Sequence, residues 1–107
     1  MAGKRKERAN ASSNVALSNL KIVLDKCGVN DNRYCFGVHI ENKTSIVQEN
    51  GVWTVSFFER GSCEPVAEYE SATEACEKMI DTMVPHRLKN KIAKRKFHAL
   101  MAKSPTI

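Results

Sequence analysis

A chain of 107 residues with 42% hydrophobic side chains supports one domain with a modest core and leaves no room for a second. No apolar run approaches the roughly 20 residues that cross a bilayer, so no membrane span is expected, and a cytoplasmic location follows as the working expectation. The net charge of +5 conceals a segregation: residues 1–10 hold four basic and one acidic side chain, residues 11–83 hold six basic and eleven acidic, and residues 84–107 hold seven basic and none acidic. An acidic middle between two basic ends excludes reading the whole chain as a uniformly basic nucleic-acid binder.

Residues 1–13 are charged, then small and polar, without an apolar period. They read as a disordered basic arm, and they lack the apolar middle of a secretory signal. Ser13 or Asn14 can cap a helix over 15–27, in which Leu17, Leu20, Val23, Leu24 and Cys27 form one stripe and Gly28 supplies the C′ position. After the turn residues Asn30-Asp31-Asn32, the positions Tyr34, Phe36, Val38 and Ile40 alternate with Cys35, Gly37 and His39, the period of a half-buried strand. Asn50-Gly51 lies between two β-rich runs, 45–49 and 52–58. Both residues tolerate positive φ, which marks a two-residue hairpin. Trp53, Val55 and Phe57 then share one face of the second arm. Residues 63–69 fit a short strand that Pro65 confines to a sheet edge.

Ser71-Ala72-Thr73-Glu74 is a capping box. Behind it Ala72, Ala75, Cys76, Met79, Ile80 and Met83 make a clean apolar stripe, which predicts a helix over 72–83. Residues 86–102 are helix formers whose apolar positions do not form one stripe. The expected fold is α+β in a single domain: an α-β-β-β-(β)-α antiparallel meander with helices packed on one face, plus a basic C-terminal helix. The boundaries are a 1–13 arm, a 14–84 core and an 85–107 basic helix or tail.

Nothing in the sequence assembles a catalytic set. There is no nucleophile elbow, no phosphate loop and no cysteine with a histidine beside it. Cys27, Cys35, Cys63 and Cys76 include no close pair, so no metal site and no cofactor are implied; most of these thiols are expected to be small buried hydrophobes. A non-enzymatic binding module is the expectation. Arg87, Lys89, Lys91, Lys94, Arg95 and Lys96 can neutralise phosphates, with Phe97 and His98 available for stacking.

The segment 51–83 carries a pattern: Gly51, Trp53 and Val55 on a strand, then Glu59-Arg60-Gly61, then Tyr69 and a capped helix with Glu74-Ala75-Cys76. It resembles small immunity proteins encoded beside bacterial polymorphic toxins, over about residues 15–83; both basic ends depart from that pattern, and Tyr69 stands where a Phe is usual. The resemblance implies a protein that blocks a cognate toxin domain by covering its active site. Partner contacts are then expected from Glu59, Arg60, Trp53 and Tyr34. Glu59 and Arg60 point to opposite faces of a strand and do not pair with each other, so one is expected to tie the turn while the other faces the partner. The alternative is a small nucleic-acid-binding domain that uses the basic tail, since the α-β-β-β-α order is similar to that of double-stranded-RNA-binding domains and the Trp53, Val55 and Glu74-Ala75 pattern resembles the three-stranded AP2-type DNA binders. Against it, the second helix starts Ala72-Thr73-Glu74 rather than on basic residues, and strand 52–58 has no Arg.

Overall fold

A computed structural model describes residues 2–103, excepting the side chains of residues 2–13 and of Pro65 and Val66. In chain order it contains helix α1 (Ala2–Lys26), a 3₁₀ turn (Asp31–Arg33), strands β1 (Tyr34–Phe36), β2 (Lys43–Glu49), β3 (Val52–Glu59) and β4 (Ser62–Tyr69), and helices α2 (Ala72–Met83) and α3 (Arg87–Lys103). These form one α+β domain around a mixed four-stranded sheet of order β1-β2-β3-β4.

Two hairpins set the register of most of that sheet. Asn50 and Gly51 take φ of 53° and 80°, as a two-residue turn matched to strand twist requires. The turn fixes Glu49 opposite Val52, and hence Ile46 opposite Val55 and Ser45 opposite Ser56. Arg60 and Gly61 repeat the device with φ of 53° and 75°, joining β3 to β4. Near the middle of this second pair, Val55 faces Ala67 while Ser56 faces Pro65, so Val66 is an extra residue. Pro65 thus sits where its missing N–H is tolerated, on an edge strand and at a bulge.

The first strand departs from the meander. β1 stops at Phe36 and runs parallel to β2, with Tyr34 opposite Thr44 and Phe36 opposite Ile46. Parallel neighbours ordinarily need a crossover of about a dozen residues. Here residues 37–42 suffice because only three residues are retraced, about 10 Å at roughly 3.3 Å each. Gly37 (φ 81°) and Asn42 (φ 63°) make the two bends, and the Gly37 N–H donates to the Ile46 carbonyl at 2.9 Å. Val38 and Ile40, which continue the alternation in the sequence, are therefore exposed loop residues.

Tyr34, Ile46, Trp53 and Val55 face the helices and join one core with Leu20, Val23 and Leu24 of α1. α2 packs directly on β2, β3 and β4, with Ala75, Cys76, Met79, Ile80 and Met83 buried. Ser71 caps it as expected, accepting the Glu74 N–H at 3.4 Å. α1 packs on α2, and α3 packs on both. α1 begins at Ala2, well ahead of residue 15; Ala, Lys, Arg and Glu are good helix formers even where no apolar stripe exists. The side chains of the proposed basic arm lie outside the described residues. Among the thiols only Cys76 is fully buried, and burial pushes it up to about 12; Cys27 and Cys35 are half-buried and Cys63 is exposed.

Candidate functional site

The β3–β4 turn is an anchored feature. The Glu41 carboxylate, arriving from the 37–42 loop, accepts the backbone N–H groups of both Arg60 and Gly61. A carboxylate on two adjacent amides holds a left-handed Arg60 that would otherwise be costly for a side chain with a Cβ. The tie therefore runs through the Arg60 backbone. The side chains of Glu59 and Arg60 are both exposed, and neither makes a side-chain hydrogen bond or an ion pair among the described residues. Along edge strand β4, which leads away from this turn, Glu64 and Glu68 are exposed, as is Glu70 just past the strand's far end.

Trp53 and Tyr34, the other two residues expected to meet a partner, are core residues, each only 5% exposed. Trp53 lies under α2 with Tyr69 opposite it on β4, and Tyr34 lies under α1. The Tyr34 hydroxyl donates to Asp25 at 3.5 Å, and its ring lies 6.0 Å from the Lys21 ammonium. Burial raises the Tyr34 hydroxyl above its ordinary value, with the Asp25 charge adding and the Lys21 charge opposing. An aromatic in an alternating strand serves a core and a binding face equally well; the seat of α2 and α1 decides for the core.

All six basic residues of the expected phosphate-binding set lie on α3, but they are not equivalent. Lys94 is drawn inward and pairs with Asp81 of α2 at 2.6 Å. Burial alone would raise the Asp81 carboxyl, but hydrogen bonds from Lys94 and Asn90 and the charges of Lys94 and Lys78 outweigh it and hold the group below the ordinary carboxylate value. Arg87, Lys89, Lys91, Arg95 and Lys96 are exposed and form no ion pair among the described residues. Neither stacking candidate is free. Phe97 is fully buried, and His98 Nε2 lies 2.9 Å from Glu77.

The sheet's other face carries a cluster that the linear sequence conceals. His39 lies over it, with Nδ1 3.0 Å from Ser45 Oγ, 3.5 Å from Ser56 Oγ and 3.7 Å from Cys63 Sγ. Its Nε2 is 4.0 Å from Glu49, and its ring stacks on Phe58. A histidine therefore does neighbour a cysteine, 24 residues away. Carboxylate, imidazole and hydroxyl in line resemble a hydrolase relay, but Ser45 and Ser56 are 0% exposed, so no substrate can reach either oxygen. The serines bond to each other at 3.2 Å, and His39 closes the network. Its evident work is to satisfy two buried hydroxyls beneath the 37–42 loop. The signal was present: the Asn-Gly turn alone dictates that Ser45 and Ser56 pair.

Among the described residues no group of three or more His, Cys, Asp or Glu side chains is arranged to hold a metal, and no helix is long and apolar enough to cross a membrane. No family model, curated protein or solved structure matches this chain.

Proposed function

We propose that the chain is a non-catalytic protein-binding module of the immunity type, which neutralises a toxin domain by covering it with the β3–β4 turn and the acidic side chains along the β4 edge. One observation carries the reading. In the pattern that resembles immunity proteins, nearly every residue has a local reason to be there: Gly51 and Gly61 serve turns, Trp53, Val55, Ala75 and Cys76 fill the core, and Glu74 sits in the first turn of α2. Glu59 and the Arg60 side chain have none. They stand in solvent on a turn that the Glu41 carboxylate already holds in shape.

A pre-shaped turn loses little freedom on binding, which is where much of the cost of association lies. The exposed carboxylates of Glu59, Glu64, Glu68 and Glu70 suit a cationic cleft such as a nuclease presents, and complementary charge speeds encounter. The test uses the purified products of the genes that flank this one, a toxin domain being expected among them. Calorimetric titration should give a one-to-one complex and loss of toxin activity. Glu59→Lys combined with Arg60→Glu should weaken the complex at least about tenfold without lowering the melting temperature. Undiminished binding by that variant would remove the turn from the interface, and no binding by the parent chain would end the reading.

A further inference from the structure

The helical side of the molecule carries a groove that neither the core nor the acidic edge requires. It runs between α1 and α3. Two concavities, of roughly 220 and 160 Å³, adjoin at Lys26 and Lys96 along it. The floor is aliphatic, with Val23 and Leu100 at one end and Ala93 at the other. At the lip stand Ile22 and Ile92, exposed to 42% and 44%. The rim is cationic: Lys26 from α1, and Lys89, Lys96 and Lys103 from α3. Those three α3 lysines recur at intervals of seven, so they fall in a line along one side of the helix, about 21 Å long at ~1.5 Å per residue. No acidic side chain lines either concavity.

The chemistry of this groove selects among partners. A nucleic-acid backbone would use the lysines and leave the apolar floor unexplained, and the lining holds no aromatic on which a base could stack. A bilayer surface is flat, whereas the apolar residues here line a concavity between two helices. We infer that the α1–α3 groove seats an acidic amphipathic helix of a protein partner. Such a helix, about 14 residues long to match the lysine line, lays apolar side chains spaced i, i+3, i+4 and i+7 between Ile22 and Ile92 and sets Asp or Glu on its flanks against the lysines. Docking would cover the exposed isoleucines and neutralise four like charges. The surface is separate from the β3–β4 turn and does not depend on the toxin reading.

The probe is a fluorescein-labelled 15-residue helical peptide with leucines on one face and glutamates on its flanks. A scrambled peptide of the same composition, a 20-base-pair DNA duplex and anionic phosphatidylserine vesicles are the comparison ligands, all titrated against the full chain by anisotropy or co-sedimentation. The amphipathic peptide should bind at least about tenfold more tightly than the scrambled one. Ile92→Ser and Lys96→Glu should each weaken it about tenfold, whereas Glu59→Lys should leave it unchanged. Ile92 and Lys96 are exposed, so circular dichroism of both variants should match the parent. Equal binding of the scrambled peptide, absence of peptide binding, or tighter binding to duplex or vesicles that ignores Ile92→Ser would each overturn the proposal.

Discussion

Helices α2 and α3 follow one another in the chain, and they are built on opposite plans. α2 spends twelve residues to bury five, has its first turn capped by Ser71, and lies between the sheet and the other helices. α3 spends seventeen residues to bury two, Ala93 and Phe97, and carries no acidic residue in its first turn. What holds α3 is polar as much as apolar. The Asn90 side chain donates to the Val84 carbonyl and to Asp81, each at 3.0 Å, and Lys94 and His98 reach Asp81 and Glu77 of α2. A helix fastened along one narrow line leaves most of its circumference to solvent. That explains why Leu88 and Ile92 stay exposed, and why six of its seven Lys and Arg side chains form no ion pair among the described residues. α2 is scaffold; α3 is scaffold on one side and surface on the others.

The largest expected effect comes from removing the single large anchor of α3. Phe97→Ala should cost about 3–5 kcal/mol in urea denaturation, comparable to emptying a site under α2. A cost below about 1 kcal/mol would mean that α3 is not held through Phe97. Next, Asn90→Ala leaves the Val84 carbonyl, at the end of α2, without this donor. About 1 kcal/mol is expected, partly offset by water because the site is only half-buried. No change would show the clasp to be incidental.

The smallest effect is a pH dependence. Asp81 titrates below its ordinary value in the folded chain, so its contribution is fully present above the unfolded value near 3.8 and is lost as pH falls below it. Hydrogen exchange should therefore show α3 amides losing protection below about pH 4, before the α2 amides buried against the sheet do. Asp81→Asn should remove that difference. The carboxylate is 41% exposed, so salt should shrink the effect.

The parts legible in the sequence are those fixed by local chemistry. Asn50-Gly51 could be little else than a hairpin turn, and Ser71 with Glu74 and the Ala75–Met83 stripe defined α2 to its last residue. Turn position also fixes register, so the pairing of Ser45 with Ser56 was readable in principle. The direction of β1 was not, because it depends on where a six-residue loop folds back, and Val38 and Ile40 mimic the continuation of a strand that stops at Phe36. The fate of Trp53 and Tyr34 was likewise decided by which helices cover the sheet. α3 announced its split character in the scatter of its apolar positions. Which cations would be pinned and which left free depended on Asp81 and Glu77, carried by another element.

The proposed partner surface is the exposed Glu59-Arg60 turn with the acidic side chains along the β4 edge. It is tested most directly by titrating the full chain, and the variant carrying both Glu59→Lys and Arg60→Glu, against the purified products of the genes that flank its own. A one-to-one complex is expected with a toxin domain among them, and the double variant should weaken it at least about tenfold with melting temperature preserved. Equal affinity for parent and variant, or no complex with either, would contradict it.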